Sequence, residues 1–348
     1  MGGTLLQLAA SSRQLADRQR IMSGCTALLL ALRVAAQDPQ FSQTFAAPMY
    51  MNPALAGSTF EDRIALNYRM QWTGLPRGYE TYAASYDHNF ADANSGFGAF
   101  VLRDRSGTAG LAFTHAALNY SYSARINRHK VLRAGIRAGW TVREWDPGSV
   151  VFADQVIRDN APVSIEQNLV ESVNYPDVTA GALYHTEKFW FGASFNHINR
   201  PQQSLMSSGD VRLPIRTSVS SGYRFAIDGQ PYRKAKMFMT GAMHYKAQQK
   251  WDQLDLGVYM EMERFITGLW YRRLPGLKAY QPGYPNHESV ILMAGFETEG
   301  QLRIIYSYDV TVSWLTMRSG GAHEISLQYE WPKRAKNRRF QALPCPKF

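Results

Sequence analysis

Apolar and polar side chains alternate along Arg133-Ala134-Gly135-Ile136-Arg137-Ala138-Gly139-Trp140-Thr141-Val142-Arg143. Ala134, Ile136, Ala138, Trp140 and Val142 fall on one side, and Arg133, Gly135, Arg137, Gly139, Thr141 and Arg143 on the other. Successive side chains of a strand point to opposite faces, so this segment presents an apolar surface backed by a cationic, small-residue one. A sheet with lipid outside and a polar interior needs that arrangement. Similar bursts recur at about 63–71, 81–90, 96–104, 111–126, 131–142, 177–185, 189–196, 215–225, 236–247, 253–260, 265–272, 289–298, 302–309 and 322–331, fourteen in all. An even number of antiparallel strands closes with both ends on one side and leaves no unpaired edge in hydrocarbon. The expected fold is all-β, a transmembrane antiparallel β-barrel of about 14 strands.

The connections are uneven: 143–176, 197–214 and 273–288 are long and carry Pro, Gly, Asn or Asp, whereas others are only a few residues. With the N-terminus on the periplasmic side, all three follow odd-numbered strands and fall outside. Beyond Ala36 no segment approaches the roughly 20 uninterrupted apolar residues of a helical span. Ahead of it, Cys25 to Leu32 is an apolar run too short to cross a bilayer, and Val34-Ala35-Ala36 supplies small residues for a signal peptidase. Residues 1–36 are therefore read as a signal peptide cleaved after Ala36, with Met22 as an equal candidate for the translation start. Ile21-Met22-Ser23-Gly24 before Cys25 does not make a lipoprotein site. Pro39, Pro48 and Pro53 argue that 37–62 is a periplasmic lead or a lumen plug rather than a strand. The barrel is expected over 63–331 and a basic periplasmic tail over 332–348.

The net charge is +10, of which Arg13, Arg18, Arg20 and Arg33 against Asp17 contribute +3, leaving +7 after signal removal. Lys333, Arg334, Lys336, Arg338 and Arg339 lie just beyond the last strand, with Cys345, the one cysteine remaining after cleavage. These six are the candidate partner-binding residues, able to grip an acidic periplasmic partner or anionic head groups. Arg133, Arg137 and Arg143 are the candidate lumen-lining residues. Nucleic acid is excluded by compartment. Arg69, Trp72, Tyr86 and Asp87 are a recognition surface on one reading; on the other, Arg and Asp satisfy one another across strands and the aromatics form an interfacial belt. His323 and Glu324 point to opposite faces of one strand and cannot share a metal ion. No Gly-x-Ser-x-Gly elbow, His-Glu-x-x-His or Gly-x-x-x-x-Gly-Lys loop occurs, and Gly96-Phe97-Gly98 lacks the rest of a dinucleotide fingerprint, so no cofactor is expected. On these faces, Ala138→Arg should impair assembly and Gly139→Ser should be tolerated.

The segment Gln37-Asp38-Pro39-Gln40-Phe41-Ser42-Gln43-Thr44-Phe45-Ala46-Ala47-Pro48-Met49-Tyr50-Met51-Asn52-Pro53-Ala54-Leu55-Ala56-Gly57-Ser58 resembles the opening of the PorP/SprF family. Leu66-Asn67-Tyr68-Arg69-Met70-Gln71-Trp72 and Tyr79-Glu80-Thr81-Tyr82-Ala83-Ala84-Ser85-Tyr86-Asp87 resemble its first hairpin. Phe152-Ala153-Asp154-Gln155, Leu269-Trp270-Tyr271-Arg272, Tyr306-Ser307-Tyr308-Asp309, Gly320-Gly321-Ala322-His323-Glu324-Ile325-Ser326-Leu327 and Cys345-Pro346-Lys347-Phe348 match later landmarks. The resemblance implies a non-catalytic bacterial outer-membrane component of type IX protein secretion and gliding motility. Its implied partners are outer-membrane lipid and either periplasmic ring and motor proteins or the C-terminal domain of a secreted adhesin. Two other functions stay open: an anion-preferring diffusion channel, and a barrel lipase using one of His115, His185 or His197.

Overall fold

The computed structural model describes residues 38–75, 78–107, 110–146, 155, 157, 158, 170–206, 209–228, 236–273, 287–312 and 319–331. Fourteen strands form one closed antiparallel barrel in which each strand pairs with its neighbours in sequence. They are β1 (Arg63–Gln71), β2 (Tyr79–Phe90), β3 (Ser95–Ser106), β4 (Leu111–Asn127), β5 (Lys130–Glu144), β6 (Ser172–Thr186) and β7 (Phe189–Asn196). The second half comprises β8 (Arg216–Ala226), β9 (Met237–Gln248), β10 (Trp251–Met262), β11 (Phe265–Arg273), β12 (His287–Glu297), β13 (Leu302–Thr311) and β14 (Ala322–Glu330). Closure is made by β1 on β14, from Arg63↔Glu330 to Gln71↔Ala322. Among the described residues no helix is long and apolar enough to cross a membrane. Met1–Gln40 and Phe41–Phe348 are separate units, and the second contains the barrel.

Alternation along each strand produces an exterior and interior of opposite polarity. On β5, Ile136 and Trp140 are 51% and 53% exposed on the outside, whereas Arg137 and Thr141 are 3% and 0% exposed inside. Exposed Tyr86, Phe97, Tyr120, Tyr122, Phe191 and Tyr223 lie toward the rim where β1 begins, as interfacial aromatics do. That rim carries tight turns: Arg128-His129 joins β4 to β5, Glu187-Lys188 joins β6 to β7, and Glu263-Arg264 joins β10 to β11. The strand ends joined by the long connections 145–171, 197–215 and 274–286 lie at the opposite rim, on the side expected from their strand parity. Much of the first and all of the third fall outside the described residues, as does Phe152-Ala153-Asp154.

Most boundaries fall within about two residues of the expected pattern, and the largest difference is at the sixth strand. The sixth strand was expected from 177 but begins at Ser172 and contains Pro176, opposite Trp140 of β5. Proline is tolerated because β6 meets β7 only from Ala180 onward, so at Pro176 one edge of the strand needs no ladder donor. The long-loop rim is partly covered there. Val170 N–H donates to Leu205 O (2.7 Å), and Gln202 bridges Arg212 within the β7–β8 connection.

Candidate functional site

The interior of the barrel holds a plug made by residues 41–58. Three single turns, Thr44–Ala46, Pro48–Met51 and Pro53–Leu55, follow one another. Pro48 and Pro53 each open a turn, where a missing N–H costs nothing and the fixed φ suits a helical start. Stopping after one turn leaves carbonyls of Met49, Tyr50, Ala54 and Ala56 without helical donors, and these meet the barrel wall.

The first half of the plug is held by charge. Ser42 N–H donates to Glu324 Oε2 (2.7 Å) and Gln43 N–H to Glu324 Oε1 (3.0 Å), so one buried carboxylate takes two consecutive backbone donors. Ser42 Oγ donates to Asp309 Oδ2 (2.6 Å). Arg69 bridges both acids, with Nη2 to Asp309 Oδ2 at 2.8 Å and Nη1 to Glu324 Oε2 at 3.0 Å. Arg272 pairs with Asp255 (Nε to Oδ1, 3.0 Å) and reaches Asp309 (Nη1 to Oδ2, 3.3 Å). Gln43 Nε2 donates to Ser307 Oγ (3.0 Å) and Ser326 Oγ donates to Gln43 Oε1 (2.5 Å). Phe45 stacks on Tyr259 with ring centroids 5.7 Å apart, within an apolar cluster that includes Ile291 and Ile305.

The second half is held by shape and by wall donors. Arg133 Nε donates to Ala54 O (2.9 Å), and Ser121 Oγ donates to Ala56 O (2.7 Å). Arg137 donates through Nη2 to Met49 O and to Tyr50 O (3.2 Å), and through Nε to Asn119 Oδ1 (3.0 Å). Asn52 accepts from Ala54 N–H (2.9 Å) and sends its amide to Ala182 O (3.0 Å) and Ala193 O (3.1 Å), which face each other across β6 and β7. Glycines make the room. A Cβ on Gly181 would lie 2.1 Å from Asn52 Oδ1, one on Gly135 2.3 Å from Ala54 N, and one on Gly96 2.0 Å from Ala56 O. Gly57 turns the chain at φ +60 and donates its N–H to Asp87 Oδ2 (2.7 Å), whose other oxygen pairs with Arg63 Nε (2.9 Å). Phe41, Met49 and Leu55 close the interior against Phe100, Leu102, Leu183 and Trp190.

The plug therefore descends from the level of Arg69 and Glu324 to the rim where β1 starts. Arg133 and Arg137 lie inside the barrel and donate to plug carbonyls rather than facing an open bore. Arg143, farther along β5, donates through Nη1 to Gln203 Oε1 (2.8 Å) of the β7–β8 connection. Lys333, Arg334, Lys336, Arg338, Arg339 and Cys345 lie outside the described residues. Arg69 and Asp87 enter different ion pairs, and Tyr86 is on the outer face, donating to Asp62 Oδ1 (2.7 Å). Those residues form no common surface. The expected tolerance of Gly139→Ser is corrected: a Cβ at Gly139 would lie 2.5 Å from Cε1 of His115, whose Nδ1 contacts Thr141 Oγ1 at 2.8 Å. His115, His185 and His197 lie on β4, on β6 and after β7; His197 Nδ1 contacts Asp177 Oδ1 at 2.9 Å. Among the described residues no group of three or more His, Cys, Asp or Glu is placed to hold a metal.

Sequence reading missed Ser42, Gln43 and Asp309 as plug contacts, and Asp255 as the partner of Arg272 behind them. Their signal was faint: Asp255, Arg272, Asp309 and Glu324 are charges at positions that strand parity turns inward, where each needs a partner.

A closed barrel with an apolar exterior, aromatics toward one rim and a plugged polar interior defines an outer-membrane β-barrel. Residues 33–329 match the family model for the type IX secretion system membrane protein PorP/SprF, and the chain belongs to that family. It is thus a membrane component of type IX secretion, located in the bacterial outer membrane. No curated protein matches it in sequence. Solved structures similar to it include a Pseudomonas aeruginosa FadL homologue (13% identity, TM-score 0.43, covering 78% of this chain and 90% of that one). The P. putida toluene transporter TodX (11%, 0.43, 80% and 90%) and the KdgM porin (8%, 0.35, 78% and 99%) are others.

Proposed function

We propose that the protein is a non-catalytic anchor of the type IX machinery that supports export or surface attachment of secreted adhesins and does not serve as a diffusion channel. The plug carries this reading. Its carbonyls occupy Arg133 and Arg137, the cations that an anion-preferring bore would present to water. The missing nucleophile, metal and phosphate motifs favour a binding role over a lipase.

Barrels of this class keep short turns in the periplasm and long loops outside, so the rim where β1 begins faces the periplasm. The signal is removed after Ala36. The segment 332–348 then emerges beside that rim and contacts a periplasmic ring or motor protein through Lys333, Arg334, Lys336, Arg338 and Arg339, with Cys345 available for an intermolecular bridge. A strain lacking the protein tests the role. Loss of surface display of one adhesin marks a dedicated partner, and loss of all type IX cargo marks a core component. Normal display of every cargo contradicts the proposal.

A further inference from the structure

One exposed aromatic side chain faces the lumen. Trp251 opens β10 and is 53% exposed. It pairs with Gln248 across the two-residue turn Gln249-Lys250, and the same ladder continues through Gln253↔Lys246 to Asp255↔His244, both buried inside the barrel. Side chains alternate along a strand, so Trp251 shares the inner face with Gln253 and Asp255. Every other exposed aromatic of the described strands lies on the outer face, where an interfacial belt needs it. Contact with the bilayer therefore does not account for Trp251.

The turn before Trp251 belongs to the rim opposite the one where β1 begins, the cell-surface mouth, and cations lie beside the indole. Lys246 is half-buried on the inner face of β9 and Lys250 is exposed in the turn, and among the described residues neither enters an ion pair. Arg216, opposite Gln248 on β8, donates through Nη1 to Tyr50 Oη of the plug (2.7 Å), with its guanidinium 4.9 Å from the ring centroid. The site thus stands directly over the plug. Asp255 is held by Arg272 (3.0 Å) and by Gln253 Nε2 (2.9 Å), and Asp252 accepts from Tyr245 Oη (3.4 Å) on the outer face. Glu288 lies in the field of Lys246 without coming within ion-pair distance.

We infer that Trp251, Lys246 and Lys250 form a docking site, on the inner face of the cell-surface mouth, for an acidic segment of a secreted cargo protein that carries an apolar side chain. The ammonium groups select acidic chain, and the indole supplies an apolar anchor for which a bare anion has no use. Trp251 and Lys246 face the lumen, which lipid head groups do not enter. The inference rests on the cargo-handling role proposed above and adds the surface and chemistry of contact.

The test uses the full mature protein in nanodiscs, with the labelled peptide Glu-Glu-Leu-Glu-Glu as probe and fluorescence anisotropy as readout. Wild type should bind this peptide and not Lys-Lys-Leu-Lys-Lys. Trp251→Ala should weaken binding about tenfold, as loss of an aromatic anchor does, and Lys246→Gln about threefold. Lys188→Gln, at the opposite rim, should leave it unchanged. Heat-modifiable migration checks folding, and Trp251→Phe, which keeps most of the apolar area, should retain most of the binding. Equal binding by wild type and both weakened variants, or no binding by wild type, overturns the inference. Displacement by sodium acetate at the peptide's own concentration means an ion site only and overturns it too. Binding that appears only after residues 150–168 are removed assigns the site to the chain's own β5–β6 connection, with the same consequence. In cells, a strain carrying Trp251→Ala with Lys246→Gln should lose adhesin display. Normal display in that strain, beside lost display in the strain lacking the protein, overturns the inference alone and leaves the secretion role standing; normal display in both contradicts the role itself.

Discussion

The two halves of the plug are fastened by opposite arrangements of donor and acceptor. In residues 41–47 the plug donates, and the carboxylates of Glu324 and Asp309, backed by Arg69 and Arg272, accept. In residues 48–58 the backbone carbonyls of the plug accept while the wall donates through Arg133, Arg137 and Ser121, the plug's own donors there being the Asn52 amide and the Gly57 N–H, and glycines shape the seat. A charged fastening fails when one ion is removed, because its partners stay buried without it. A shaped fastening fails when volume is added. Only the second half is joined directly to β1, so the first depends on its wall contacts to stay in place.

The largest effect is expected at the charged end. Glu324→Ala removes one of the two carboxylates that Arg69 bridges and leaves the Ser42 and Gln43 N–H groups without an acceptor, and should cost about 3–5 kcal/mol because it breaks a buried pair. Denaturant unfolding of the detergent-folded barrel measures it, and Asp309→Asn should be milder because hydrogen-bonding capacity is retained. An unchanged midpoint for Glu324→Ala would show that the first half contributes little.

At the shaped end, Gly135→Val drives a side chain into the Pro53–Ala54 backbone and should cost about 1–3 kcal/mol through overpacking. Its signature is selective: protease access to residues 48–58 should rise while the barrel still migrates as a folded, heat-modifiable species. If protection of the plug is unchanged, the glycine seat has no role in holding it.

The smallest effect is set by the wall itself. Gly139→Ser presses on His115, a ring edge that can shift, and should cost about 1 kcal/mol in the same unfolding assay, the lower end for overpacking. A loss as large as that of Glu324→Ala would mean that His115 is part of the plug's support.

The wall was legible in the sequence because period-two alternation runs cleanly through strands such as β1, β5, β7 and β14. The segment 189–196 coincides with β7, and 133–143 shows its two faces without any other information. Pro176 hid the start of β6, since a proline reads as a strand break until the missing neighbour on that edge is known. The plug was legible only as a proline-rich lead. Periodicity tells which way Arg133 and Arg137 point, but their acceptors are carbonyls of a segment about eighty residues earlier, and a carbonyl leaves no mark on the residue that bears it. The glycines of the seat were visible as small inward positions, while their reason lies in Asn52, Ala54 and Ala56.

The central claim is that the plug closes the lumen. Single-channel recording in planar bilayers compares the intact mature protein with a form lacking residues 41–58. Closure predicts no steady current from the intact protein and discrete open steps, preferring anions, from the truncated one, as Arg133 and Arg137 become free to face water. Steady ohmic conductance from the intact protein, equal to that of the truncated form, would contradict it.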